Sequence, residues 1–160
     1  MYEAWDMIIL GIDPDSNKSG VAVYSSGVLI KLECMTLMKF HNFLNENTRI
    51  FAEPPELHIE NVNGNRCSSF NWIKKGKPKP ILDKINGKIS EGVGKCKQAQ
   101  VEIERVAEYF GFKIVHHNVS SKWKDAHDGK RQFEMVTKWK KQSNPDSRSA
   151  AYFGFLGCKI

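Results

Sequence analysis

Apolar and polar positions repeat along this chain in two rhythms, an unbroken or alternating one typical of strands and a three-to-four-residue one typical of helices. The apolar run Met7-Ile8-Ile9-Leu10 closes in Gly11-Ile12-Asp13-Pro14. Such a run, bounded by Gly and Pro, predicts a strand over Met7–Asp13 buried on both faces. Gly20–Ser25 and Val28–Met35 read as two further strands joined through a tight turn at Ser26-Gly27. Phe40, Phe43 and Leu44 at helical spacing predict a short helix over Leu37–Asn45. Glu53-Pro54-Pro55 breaks the chain before a fourth strand, Leu57–Glu60.

From Asn61 to Gly94 the pattern is irregular and rich in Asn, Gly, Ser and Lys, with helical character expected in part from Ile81 onward. Ala99, Ile103, Val106, Ala107 and Phe110 then form one stripe of a long helix, Lys95–Phe110, ended by Gly111. Phe112–His116 predicts a fifth strand, and Asp128–Lys141 a basic helix with Phe133, Val136 and Trp139 inward. Asn144-Pro145 opens a last helix, Asp146–Gly157, whose Ala150, Ala151, Phe153 and Phe155 are apolar. Three strands joined by hairpins, then a helix and a strand returning beside the first, predict an α/β fold with a mixed sheet. With 160 residues and no repeat or linker, one domain over 1–160 is expected.

Charge changes the picture. The net charge of +6 is concentrated in two stretches. Lys74–Lys97 carries eight lysines against Asp83 and Glu91, and Lys122–Lys141 carries seven basic residues against three acids. Two basic segments in an otherwise acidic chain fit a polyanion partner, most simply nucleic acid, or else two solvated lysine-rich faces. Phe70 and Trp72 lie beside Lys74 and Lys75. Aromatics interleaved with cations offer stacking faces and phosphate partners, or pin the loop to the core. Cys34, Cys67, Cys96 and Cys158 are scattered without zinc spacing and read as reduced thiols. The N-terminus has acids where a signal peptide needs basic residues, and no stretch reaches membrane-spanning length, so a cytoplasmic protein is expected.

Three acids share a pattern: Asp13 on the first strand, Glu60 ending the fourth, and Asp146 in the first turn of the last helix. Each has a local explanation, a turn cap for Asp13 and the helix dipole for Asp146. If the fourth strand lies beside the first, however, Asp13 and Glu60 converge, and a helix packed across them can bring in Asp146. Converging carboxylates repel, and Mg²⁺ or Mn²⁺, hard ions preferring carboxylate oxygen, relieve that repulsion. Adjacent His116-His117 face opposite ways on a strand and read as strand-end polarity rather than a metal pair.

With these residues in view, the chain resembles the RuvC family of Holliday-junction resolvases, including the small phage enzymes, within the RNase H-like (retroviral integrase) superfamily. IILGIDPDSNKSGVAV is similar to the family's first strand and hairpin, LHIENV to its second acidic motif, AHDGKRQFEMV with Lys130 to the basic segment, and NPDSRSAAYFGF to its C-terminal motif. Asp15 stands where the family has Gly, Ser149 where it has a second C-terminal acid, and Asn63 where an aromatic or apolar residue often follows the second motif. The resemblance implies an RNase H-like (RuvC/integrase-type) five-stranded mixed sheet flanked by helices. It implies a Mg²⁺-dependent endonuclease, with Mn²⁺ able to substitute, acting as a homodimer on branched DNA such as four-way junctions and leaving 5′-phosphate and 3′-hydroxyl ends. Asp13, Glu60 and Asp146 would be the metal ligands, with Ser149 or Asp15 auxiliary, or Asp128 with His127 compensating. Lys130, with Lys122 or Lys124, would reach the scissile phosphate. Lys74, Lys75, Lys77, Lys79 and Lys95 would bind the DNA arms, and Phe70 or Trp72 would make base contacts at the crossover in place of the residue that Asn63 replaces. Two readings compete: an RNase H-like nuclease for other DNA or RNA, and a junction-binding protein weakened in catalysis by Ser149. The sugar-kinase and actin group, which also begins with a strand-hairpin Asp, needs more chain than is present.

Overall fold

The computed structural model describes residues 7–51, 53–64 and 79–158. Five strands, β1 (Ile8–Asp13), β2 (Ser19–Ser25), β3 (Val28–Met35), β4 (Glu56–Glu60) and β5 (Lys113–His117), form one sheet in the order β3-β2-β1-β4-β5. The β1–β2 and β2–β3 pairs are antiparallel, and the β1–β4 and β4–β5 pairs are parallel. The mixed sheet expected from the pattern is therefore present, with β1 at its centre.

Strand parity sorts the side chains onto two faces. Ile8, Leu10 and Ile12 of β1, Val21 and Val23 of β2, and Leu57 and Ile59 of β4 point to one face. There they meet Phe40, Phe43 and Leu44 of α1 (Leu37–Asn47) and Ile103 and Ala107 of α2 (Lys79–Tyr109). Ile9, Ala22, Tyr24 and Leu29 point to the other, against Ala150 and Ala151 of α4 (Pro145–Cys158), Phe133 of α3 (Asp128–Thr137) and Trp123. Each fully buried Leu or Ile contributes roughly 2–3 kcal/mol relative to exposure, so the continuous apolar run of β1 is what the two-sided burial requires. The Tyr24 hydroxyl donates to the Ala151 carbonyl at 2.6 Å, and burial raises its pKa, so it remains a donor.

Helix α4 lies almost in contact with the strand backbones. A Cβ on Gly11 would stand 2.0 Å from the Ala150 carbonyl oxygen, and one on Gly20 2.2 Å from that of Asp146. These two glycines admit the helix, and thereby bring its first turn to the end of β1.

Several boundaries differ from the sequence reading. The long helix begins at Lys79 rather than Lys95, extending the helical character expected from Ile81. The basic helix stops at Thr137 instead of Lys141, because Lys138 turns left-handed at φ 61°. Thr137 Oγ1 takes up the end by donating to the Phe133 carbonyl at 2.8 Å and accepting from the Trp139 N–H at 3.2 Å. Val136 is accordingly 43% exposed, not inward. The fifth strand runs one residue later than expected, to His117. Cys34, Cys96 and Cys158 are free thiols, and no helix among the described residues is long and apolar enough to cross a membrane. Phe70, Trp72, Lys74, Lys75 and Lys77 lie outside the described residues.

Candidate active site

The register decides which acids meet. Ile12 of β1 stands beside Ile59 of β4 in a parallel ladder, so the next residues, Asp13 and Glu60, end their strands side by side. Parity places both on the face covered by α4, opposite Leu10, Ile12, Leu57 and Ile59. Both are buried, at 5% and 4% exposure. Asp146 follows from the first turn of α4, over Gly20, which pairs with Asp13 in the β1–β2 ladder. Asp13, Glu60 and Asp146 thus occupy one end of the sheet.

The electrostatics record the crowding. Burial first, then the charge of Asp13 and a hydrogen bond with it, push the Glu60 carboxyl up to about 7; Lys124 and the Ser120 backbone pull the other way. Burial and the charge of Asp13 likewise raise the Asp146 carboxyl. The local cation is Lys124, whose Nζ lies 3.2 Å from Asp13 Oδ2. That oxygen is buried and accepts no hydrogen bond of good geometry, so the contact is an ion pair without directional support. Burial alone depresses the Lys124 ammonium, but Asp13, with Glu60 and Asp146 behind it, more than reverses this and leaves its pKa raised.

Lys124 is held by a segment whose local pattern carries little sign of its structure. After β5 the chain crosses the site, where Ser120 reaches Glu60 through its backbone. It then turns at Trp123, which sits left-handed at φ 68°. A bulky residue in that region costs about 1–3 kcal/mol and persists only where its surroundings over-determine it. Here the indole is buried among Phe133, Tyr152 and Phe155 at centroid distances of 5.8, 5.4 and 5.4 Å. The Asp125 carboxylate accepts from the His127 and Gly129 N–H groups at 3.0 and 2.9 Å, capping α3, and the Gly129 bond leads in lowering its pKa.

Arg148 of α4, only 3% exposed, donates to the carbonyls of Trp123 at 2.8 Å and Lys124 at 2.7 Å and to Ser143 Oγ at 3.1 Å. It clamps the carbonyls flanking Lys124, which places it in the scaffold of the site. The available signal was a lone cation between Asp146 and the small apolar residues Ala150 and Ala151.

Among the described side chains, the remaining candidates form no hydrogen bond or ion pair with the three acids, although the charge of Asp15 adds to the rise of the Asp146 carboxyl. Asp15 spends its carboxylate on its own turn, accepting from the Asn17 N–H at 3.3 Å. Asp128 pairs with Arg131, and His127 only precedes α3. Lys130 lies 3.9 Å from Glu134 and lines a polar groove of about 400 Å³ with Lys141, Asn144 and Ser147. Lys122 stands over the Tyr152 ring at 5.9 Å. Lys95 pairs with Glu91 at 3.0 Å. It borders an apolar cavity of about 290 Å³ floored by Ile12, Val21 and Phe40, on the face of the sheet away from the acids. Lys79 opens α2. Asn63 ties the chain after β4 to α2, its N–H donating to Gln100 Oε1 at 3.0 Å. Ser149 is fully buried, and its hydroxyl has no hydrogen-bond partner. The adjacent histidines do part: His117 Nε2 meets His58 Nδ1 at 2.7 Å, whereas His116 pairs with Glu104.

Two solved structures share this architecture. RuvC of Thermus thermophilus in complex with a Holliday junction substrate matches at a TM-score of 0.54 and 15% identity, over 93% of this chain and 90% of that one. A second Thermus thermophilus RuvC structure matches at 0.54 and 14% identity, over 93% and 92%. The fold is RNase H-like. No protein-family model and no curated protein matches the chain.

Whether these residues suit a metal is decided by their donors. Among the described residues no three His, Cys, Asp or Glu side chains stand close enough to form a ready cage. The donor chemistry nevertheless fits a hard cation. Two buried carboxylates touch, one oxygen lacks a hydrogen bond, and a single flexible lysine supplies the nearby positive charge.

Proposed function

We propose that this chain is a metal-dependent endonuclease for branched DNA, acting most naturally on four-way junctions and leaving 5′-phosphate and 3′-hydroxyl ends. The observation that carries the reading is the buried Asp13–Glu60 pair at the ends of adjacent parallel strands, with Asp146 brought over it by α4. Asp13, Glu60 and Asp146 would hold Mg²⁺ or Mn²⁺. Such ions activate a water and stabilise the leaving 3′-oxygen of a phosphodiester.

The chain's own residues do the rest. Asp13 and Glu60, once ionised together, would hold the ions that offset their repulsion. Lys124 stands within reach of a phosphate placed against Asp13. Lys130 and Lys141 line a polar groove leading from Asn144 and Ser147 at the start of α4, suited to the strand's backbone. The basic stretch from Lys74 to Lys97 would take the arms, giving affinity that falls steeply with salt. The RuvC neighbour bound to a Holliday junction supports this substrate class. A homodimer is the assembly we propose, since a two-fold protein suits a two-fold junction. We place the enzyme in the cytoplasm of a bacterial cell or infected host, as one nuclease domain over 1–160.

The test is incubation of the purified protein with a labelled immobile four-way junction and a matched duplex, in Mg²⁺, Mn²⁺ or EDTA. Paired symmetric nicks on the junction, absent in EDTA and on the duplex, are expected. One observation favours a second reading, a junction-binding protein with weakened catalysis: the buried, unpartnered Ser149 hydroxyl where a fourth acid would stand. Tight junction binding without cleavage in either metal would select it. Cleavage of RNA–DNA hybrids without junction preference would instead select another RNase H-like nuclease.

A further inference from the structure

We propose that Lys124 is the resident counter-cation of the carboxylate site: its ammonium holds Asp13 in the metal-free protein and must leave before a divalent ion binds there. The inference rests on the metal reading above and deepens it by naming the one group that competes with the ion.

Three observations carry it. First, Lys124 Nζ takes the place a cation would occupy, 3.2 Å from a buried Asp13 oxygen with no hydrogen bond of its own. Second, that contact lacks hydrogen-bond geometry, so vacating it forfeits attraction but no well-formed directional bond. Third, only the side chain is free to move. Arg148 holds the carbonyls of Trp123 and Lys124, and Trp123 is locked among three aromatic rings. Asp125 is committed to capping α3. The Lys124 side chain itself is 33% exposed, which gives the flexible stem a path outward, where it meets a phosphate on the bound strand. Arg148 is thus a positioning residue acting through Lys124. An arginine's charge on a buried helix face is spent on carbonyls rather than on DNA.

The test needs no DNA. Mn²⁺ binding to wild-type protein and to Lys124→Met, which keeps the stem but not the charge, is measured by calorimetry at pH 8. Thermal melts in EDTA and in Mg²⁺ accompany it. The variant should bind Mn²⁺ at least tenfold more tightly. It should melt lower than wild type in EDTA yet gain more from Mg²⁺, a differential that lost packing alone would not produce. Equal or weaker binding by the variant overturns the proposal while leaving the metal reading intact. Failure of both proteins to bind Mn²⁺ overturns the metal reading and the proposal together. Should the variant not fold, the wild-type chain provides an independent readout. The ¹³Cε resonance of Lys124 should shift on Mg²⁺ addition without DNA, and an unmoved resonance at saturating Mg²⁺ overturns the proposal.

Discussion

Replacing Glu60 by Gln isolates the cost of crowding two buried carboxylates. The shift of Glu60 from 4.5 to about 7 is caused first by burial and then by Asp13. At about 1.4 kcal/mol per pKa unit it corresponds to about 3 kcal/mol. The sign follows from which state holds the proton more tightly. The folded protein does, so the contribution of Glu60 is fully present below pH 4.5 and is lost as the pH rises to about 7. Above that the metal-free fold carries the whole penalty. Glu60→Gln keeps the shape without the charge and removes this slope. In EDTA at pH 8 the variant should exceed wild type by about 3 kcal/mol, roughly 6–12 °C in Tm for a chain of this size. At pH 4 the two should agree within about 1 kcal/mol. The assay is urea unfolding in EDTA between pH 4 and 8, monitored by tryptophan fluorescence. Parallel stability profiles for the two proteins would refute the reasoning, because they would mean that Glu60 ionises in the fold as freely as in the unfolded chain. Saturating Mg²⁺ at pH 8 should narrow the gap, since a cation between the carboxylates restores the charged form.

Other substitutions probe neighbouring parts of the construction. Asp13→Asn should bind a labelled four-way junction in a gel-shift assay as wild type does yet not cut it, and cutting at the wild-type rate would remove Asp13 from the metal site. Gly11→Ala sets a methyl 2.0 Å from the Ala150 carbonyl oxygen. It should lose about 3 kcal/mol in urea unfolding as α4 is forced off β1, and a loss below about 1 kcal/mol would show that the helix yields easily. Arg148→Met strands the carbonyls of Trp123 and Lys124 and should destabilise by about 2–3 kcal/mol, read from the same unfolding curves. Ser149→Asp puts a carboxylate at a position with no solvent access. It should lower Tm in EDTA and recover part of the loss in Mn²⁺, whereas an unchanged Tm in EDTA would show that the position is not closed.

The sheet was legible because β1 and β4 write their burial directly into sequence. A strand covered on both faces is mostly apolar, so Asp13 stood out at the end of the unbroken run of β1, and Glu60 as a second acid closing the short strand that follows Pro54-Pro55. Asp146 was legible for a different reason: an acid just after Asn144-Pro145 marks a helix start whatever else it does. Other features depend on tertiary context that a local pattern does not carry. Trp139 continues the helical spacing of Phe133 and Val136, yet Lys138 turns left-handed and the helix ends at Thr137. The intrinsic preference for helix is weak there, and packing of the indole decides. Arg148, and the pairing of Lys124 (already a candidate for the scissile phosphate) with Asp13, were hidden for the same reason. Their roles arise from a crossing of the 118–127 segment over α4, 25 residues apart in the chain for the Arg148–Trp123 bond. Lys130, by contrast, sat in a motif that drew attention, but the fold turns it to the groove with Lys141 and not to the acids.

The departure at Ser149 and the presence of Lys124 belong to one electrostatic argument. A buried carboxylate is tolerated only with a partner, and the cost rises with each one added to the same low-dielectric space. In the metal-free fold, Asp13, Glu60 and Asp146 share one nearby ammonium, and Glu60 already sits near neutrality at about 7. A fourth acid at the fully buried Ser149 position would bring charge with no further lysine paired to the cluster among the described residues. Serine adds none, at the expense of one unpartnered hydroxyl, a group whose burial costs about 1–3 kcal/mol against several for an ion. The balance therefore favours three acids and a movable lysine over four acids wherever the protein must remain folded without a divalent ion. The lysine accordingly stands beside Asp13, the acid whose charge also raises the carboxyls of Glu60 and Asp146.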